Sequence, residues 1–119
     1  MAALKEAGEE LIETQKIKKM AICSILDLID EEMGLVTQND SHAGELETSL
    51  IAYLYPQMVK GSAKEEYPQF PPFMIVKNKR NFWPGGVWGN PQVASKEKGG
   101  HFFRSLVRKL VKIVDSVKD

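Results

Sequence analysis

Apolar residues recur at helical spacing near both ends of the chain. Leu4, Ala7, Leu11 and Ile12, set among Lys5, Glu6, Glu9 and Glu10, predict an amphipathic helix over Ala2 to Thr14. It begins almost at residue 1, with no strand or loop leading into it and no evident cap. A wider stripe predicts a long helix from Lys96 to about Val117, entered at Ser95. Its apolar side is Phe103, Leu106, Val107, Leu110, Ile113, Val114 and Val117, and Arg104, Arg108, Lys109 and Lys112 face solvent. Gly99 and Gly100 near its start either weaken the first turn or admit close backbone packing. A third helix runs to about Leu54, ahead of Pro56, and offers Leu46, Leu50, Tyr53 and Leu54 as a core face.

The stretches between are less regular. Lys16 to Lys19 form a basic connector. Met20-Ala21-Ile22-Cys23-Ser24-Ile25 is a continuous apolar run that suits a strand buried on both faces, as in a parallel sheet covered by helices. A helix over Ile17 to Met33 competes, because Leu26, Leu28 and Ile29 prolong the run. The strand followed by a helical turn at Leu28 to Met33 is preferred, with Cys23 as a small buried hydrophobe. Gly61 to Pro72, including Gly61-Ser62-Ala63, has the Gly and Pro density of an extended loop. Phe73 to Val76 suits a short strand, and Lys77 to Arg80 a solvated basic turn. Asn81 to Pro91 is a shaped loop carrying Phe82, Trp83 and Trp88. These aromatics either line a ligand pocket or subunit contact, or anchor the loop to the core.

Bulk properties narrow the classes. A chain of 119 residues makes one domain or part of one. Sixteen basic and sixteen acidic side chains leave no net charge, which argues against a general nucleic-acid or anionic-membrane binder. No apolar run reaches spanning length and no signal-peptide pattern opens the sequence. The single cysteine, Cys23, excludes an internal disulfide and points to the cytoplasm.

The chemistry is concentrated in Asp40-Ser41-His42-Ala43-Gly44-Glu45-Leu46-Glu47-Thr48-Ser49. Read as a helix entry, it places His42 and Glu45 side by side, with Ser49 on the same face. Asp40 or Ser41 would cap the free amides, and Glu45 and Glu47 would sit at the positive end of the helix dipole. Ordinary capping explains the same residue types. His101, near Gly100, has no second ligand type at metal spacing and reads as a partly exposed helix residue.

Three matches in order resemble the creatininase family. His42-Ala43-Gly44-Glu45-Leu46-Glu47-Thr48-Ser49 is the first, followed by Pro56 and Val59. The second runs from Gly86-Val87-Trp88-Gly89-Asn90-Pro91 through Ala94-Ser95-Lys96-Glu97-Lys98-Gly99, with Asn90 where the family usually has Asp. The third is the opening helix, similar to the one that follows the family's Asn-Gly-His-Gly-Gly-Asn segment. The resemblance implies an α/β fold, here a partial three-layer α/β/α domain over residues 1–119 that is helix-rich with a few short strands. It implies an amidohydrolase in which metal-activated water attacks a cyclic amide, formamide or peptide bond, using zinc, manganese or iron. His42 would then be a substrate contact and proton donor. Glu45 and Glu47 would orient it or support the metal site from behind, and Ser49 and Trp88 would touch substrate.

Full-length members carry their main metal ligands upstream of the matched segments, and none of those lies in this sequence. The expectation is therefore the C-terminal half of such an enzyme, holding no catalytic metal tightly by itself and inactive until the N-terminal half is supplied. A homo-oligomer is expected, as large as a hexamer for full-length members. The alternatives are a non-catalytic module that buries its exposed edges by self-association, and a small helical binding protein outside the family.

Overall fold

The structure, a computed structural model, describes residues 1–15, 17–61 and 63–118. Lys16 of the expected basic connector and Ser62 of the expected loop lie outside them. Three α-helices organise the chain: α1 (Ala2–Thr14), α2 (Glu45–Leu54) and α3 (Lys96–Val117). All three end within a residue or so of where periodicity and Pro56 place them. None is long and apolar enough to cross a membrane. Two compact units result, Glu31–Arg104 and Met1–Asp30 with Ser105–Asp119.

In the second of these units, α1 buries only Gly8, and Leu4, Leu11 and Ile12 stay exposed. A Cβ on Gly8 would lie 2.9 Å from Ile22 and 3.0 Å from Met20, so the glycine admits the following segment against the helix. That segment differs from expectation. Residues 17–24 form no regular element and pair with no strand among the described residues, and Cys23 is exposed rather than buried. The apolar run satisfies the side-chain requirement for a doubly buried strand. The main-chain requirement, a neighbour on the ladder, is not met among the described residues. The helical turn arrives early, as a 3₁₀ turn at Ile25–Leu28 followed by another at Glu31–Met33. Ser24 and Asp27 explain the start. The Ser24 hydroxyl accepts from the Leu26 N–H at 3.2 Å, and the Asp27 carboxylate accepts from the Ser24 N–H at 2.7 Å. Lys109 on α3 then donates to the Leu28 carbonyl at 2.7 Å and pairs with Asp30.

In the unit Glu31–Arg104, α2 and the first turns of α3 cross almost in backbone contact. A Cβ on Gly99 would lie 1.9 Å from the Ser49 carbonyl oxygen and 2.8 Å from the Tyr53 Cβ. Gly100 faces the Tyr53 ring, which packs on Phe103 with centroids 5.8 Å apart. The two glycines therefore serve close packing. Met33, Leu46 and Phe102 are buried almost completely. Phe102, outside the expected stripe, takes the core position, while Phe103 is half-buried and Val107, Leu110 and Val114 remain exposed.

The described residues hold only two isolated antiparallel bridges, His42 with Trp88 and Glu66 with Gly89. The expected strand at Phe73–Val76 is absent from them. Phe73 has φ +63° in a turn after Pro72, which breaks the extended path, and Phe73 and Ile75 are fully exposed. The helix-rich character is thus observed, and no sheet layer forms among these residues.

The Gly99 contact yields a stability prediction. Gly99→Ala places a methyl group on a backbone oxygen that cannot rotate away. It should cost about 1–3 kcal/mol, read as a lower urea midpoint at unchanged slope. An unchanged midpoint would mean that the α2–α3 crossing is not tight.

Candidate functional site

The site is built on the entry to α2. Asp40 caps the helix from outside: its Oδ1 accepts from the Glu45 N–H at 2.8 Å and its Oδ2 from the Leu46 N–H at 2.9 Å. The carboxylate occupies a niche that only glycines leave open. A Cβ at Gly44 or Gly89 would lie 1.8 Å or 2.0 Å from Asp40 Oδ1. Of the two expected capping residues, Asp40 is the one that acts.

His42 lies before the helix. Ala43 adopts φ +51° and Asn39 φ +56°, left-handed values that turn the chain on either side of Asp40-Ser41-His42. The His42 N–H donates to the Trp88 carbonyl at 3.1 Å and its carbonyl accepts from the Trp88 N–H at 2.8 Å. The imidazole meets the Trp83 ring edge-on at 5.7 Å, and Trp83 meets Trp88 at 6.1 Å. Trp83 is fixed in turn by its indole N–H, which donates to the Val87 carbonyl at 2.6 Å. Glu66 closes the arrangement: it pairs with Gly89 through the backbone, and its carboxylate accepts from the Gly85 and Val87 N–H groups.

The expected grouping of His42 with Glu45 and Ser49 does not form, because helical geometry starts only at Glu45. Glu47 is the carboxylate that reaches His42, with Oε2 3.6 Å from Nδ1, and it also accepts from the Ala43 N–H. Both side chains are about half exposed, at 58% and 46%. Nε2 makes no hydrogen bond among the described residues. Glu45 points the other way and is completely buried. Its Oε2 accepts from the Val36 and Thr37 N–H groups at 3.0 and 2.7 Å, and its Oε1 pairs with the Lys98 ammonium at 2.8 Å. Ser49, expected to contact substrate, is also completely buried, and its hydroxyl accepts from the Ser95 N–H at 3.2 Å. Neither Glu45 nor Ser49 can reach a ligand in this arrangement. Trp88 is partly exposed at the rim of an open cleft.

The two motifs are thus two halves of one joint. Glu45 pairs with Lys98, Ser49 receives Ser95 and backs onto Gly99, and Lys98 also donates to the Val93 carbonyl at 2.8 Å. Asn90 keeps the turn-forming role open to an Asp, since its side-chain oxygen accepts from the Gln92 N–H at 3.0 Å. The sequence offers Trp83 only as an aromatic that lines a pocket or contact or anchors its loop, and it does not single out Glu66. Trp83 carried a signal, an aromatic beside Pro84-Gly85-Gly86, whereas an isolated Glu in a polar loop carries none.

Burial alone would push the Glu45 carboxyl up. The Lys98 ammonium and the Thr37 N–H outweigh it and hold the group below its ordinary 4.5. Among the described residues no three His, Cys, Asp or Glu side chains converge in a way that could hold a metal ion. The side chains present therefore do not fit the metal that the family resemblance implies, and no catalytic step is assigned to a metal held by them.

Solved creatininase structures share the fold that carries this site. The creatininase family model, described as creatinine amidohydrolase, matches residues 1–114, so the chain belongs to that family. Among solved structures it is similar to "Creatininase Mn", at 23% identity and a TM-score of 0.73, covering 98% of this chain and 50% of the other. A second is "Crystal structure of creatinine amidohydrolase (creatininase)", at 23% identity and a TM-score of 0.68, covering 85% and 44%. A third is a mutant creatininase complexed with creatine, at 20% identity and a TM-score of 0.73, covering 95% and 50%. The chain spans about half the length of these structures. No curated protein matches it in sequence.

The buried pair gives a prediction with a defined sign. Lys98→Met strands the Glu45 charge and should cost about 3–5 kcal/mol at neutral pH. Because the folded-state value of Glu45 is lowered, its contribution is full above the unfolded value of 4.5 and is lost as pH falls through the folded value. The gap between wild type and Lys98→Met in urea midpoint should therefore shrink in acid. A gap independent of pH would assign the cost to lost packing of the lysine stem.

Proposed function

We propose that this chain forms the substrate-facing part of a metal-dependent amidohydrolase that cleaves a C–N bond in a cyclic amide, formamide or peptide. The observation that carries the reading is the placement of His42. It is held by its backbone against Trp88 and by its ring edge against Trp83, it faces Glu47 through Nδ1, and it leaves Nε2 free. A carboxylate beside Nδ1 favours the tautomer that carries its proton there and orients the ring. Nε2 then first accepts a proton from the attacking water, as a general base, and passes that proton to the departing nitrogen, as a general acid. The partly exposed aromatic surroundings suit a small planar substrate. Glu47 is the positioning residue, and Glu45 acts only by fixing the helix that carries it.

Solved relatives include a form titled with manganese and another titled Zn-Zn. In this reading the metal ligands belong to the half of the fold that this chain does not span. The same half would supply strands beside residues 17–24 and 73–76, completing a three-layer α/β/α domain. A cytoplasmic setting suits an exposed, unpaired Cys23. The full exposure of Phe73 and Ile75 also favours a second reading, a self-associating module without catalysis.

The test combines this chain with a polypeptide spanning the complementary half of a solved creatininase, with manganese or zinc added. Hydrolysis of creatinine, a formamide or a peptide is expected only from the combination. His42→Ala should lower kcat by about 10²–10⁴-fold with little change in thermal stability, because the ring is exposed. Undiminished turnover would remove His42 from the mechanism. Turnover by the chain alone would overturn the assignment of the metal ligands. An inactive combination in which the chain is an oligomer by native mass would favour the module.

A further inference from the structure

The loop Gly85–Gly89 holds two glycines in backbone conformations that other residues rarely adopt, Gly86 at φ +73° and Gly89 at φ +140°. Glycines this permissive do not hold a shape by themselves. Glu66, on a separate segment and half-buried, grips the loop at Gly85, Val87 and Gly89. Its Oε1 accepts from the Gly85 N–H at 3.1 Å and its Oε2 from the Val87 N–H at 3.2 Å. Its own N–H donates to the Gly89 carbonyl at 3.1 Å, and its carbonyl accepts from the Gly89 N–H at 2.9 Å. The carboxylate fits because position 85 has no side chain. A Cβ there would lie 2.5 Å from Oε2.

From this loop two routes lead to His42. The Val87 carbonyl accepts from the Trp83 indole N–H at 2.6 Å, and the Trp83 ring meets the imidazole edge-on at 5.7 Å. Trp88, next to Gly89, accepts from the Ser41 and His42 N–H groups at 2.9 and 3.1 Å and donates to the His42 carbonyl at 2.8 Å. His42 precedes the first turn of α2, so helical hydrogen bonds do not hold it. The loop therefore places both its main chain and its ring, and Glu66 places the loop. Two N–H donors aimed at one side chain require two acceptors, and an ionised carboxylate supplies both. An amide in the same place has one acceptor and turns N–H against N–H.

We propose that Glu66 is a positioning residue for His42: by bracing the loop from Trp83 to Gly89 it sets where the imidazole lies. It acts through the loop and not on substrate. Its consequence for turnover rests on the reading of His42 as the proton-transfer group, whereas the placement itself is read without any reaction.

The experiment compares the full chain with Glu66→Gln and Gly85→Ala by amide hydrogen exchange, read by nuclear magnetic resonance without denaturant. Glu66→Gln removes one acceptor, and Gly85→Ala expels the carboxylate without changing it. Both should speed exchange of the Ser41 and His42 amides, which donate to Trp88, by about tenfold or more. Both should also shift the Trp83 indole N–H resonance. The Glu45 and Leu46 amides, held by Asp40, should exchange as in the wild type. Unchanged exchange at Ser41 and His42, or equal acceleration at Glu45 and Leu46, would overturn the proposal. If Glu66→Gln does not fold, Gly85→Ala carries the same test. In the combination with the complementary half, Glu66→Gln should lower kcat about ten- to a hundredfold at unchanged KM, and should cost nothing further on top of His42→Ala. A fully additive loss would show that Glu66 does not act through His42. The two readings fail separately. Local exchange as expected with turnover independent of His42 sinks only the catalytic one, and His42-dependent turnover with unchanged exchange in both variants sinks only this one.

Discussion

The structure of the unit Glu31–Arg104 depends on one buried charge. Glu45 has no exposed surface, and a carboxylate in that position is tolerated only if every charge-stabilising partner is in place. Lys98 comes from α3 and the two N–H donors from Val36 and Thr37, so the requirement fixes three segments at once. The lysine keeps about a third of its side-chain surface exposed, which limits the desolvation that the pair must overcome. Specificity is the larger consequence. A shifted α2–α3 register would leave Glu45 charged and unpaired, so the crossing at Ser49 and Gly99 has one satisfied arrangement.

From that anchor the site follows. With the first turn of α2 fixed, Asp40 must fold back over two glycines to reach its free amides, and the chain between must turn sharply. Ala43 takes up the turn in a left-handed conformation, unusual for a residue with a Cβ and worth about 1 kcal/mol of strain. The strain is offset by the Asp40 cap and by the Glu47 contact with the Ala43 N–H. His42 is thereby carried off the helix and onto Trp88, where its ring stays accessible.

Much of this was legible in the chain. The three helices follow from apolar spacing and from Pro56, because a helix face needs only local sequence to declare itself. The match of the residue types from Asp40 to Ser49 to the creatininase family was legible as well. The roles inside that segment were less so. Spacing on an ideal helix joined His42 to Glu45 and Ser49, and the real helix begins three residues later. The Met20–Ile25 run reads as a buried strand from side chains alone, but a strand also requires a neighbour for its main chain, which a local pattern cannot supply.

The sequence by itself determined where the helices lie and the family to which the residues belong. Those properties reside in short-range order and in rare residue types at set offsets. Only the tertiary structure decided that Glu45 and Ser49 are parts of a joint, that Glu47 is the partner of His42, that Trp83 meets the imidazole, and that Trp88 holds the His42 backbone while Glu66 fixes the Trp88 loop. Each of those contacts joins side chains whose meeting depends on how α2 enters its packing against α3. Burial and orientation at such a crossing are settled by the satisfaction of one internal charge, a condition that exists only once distant segments have come together.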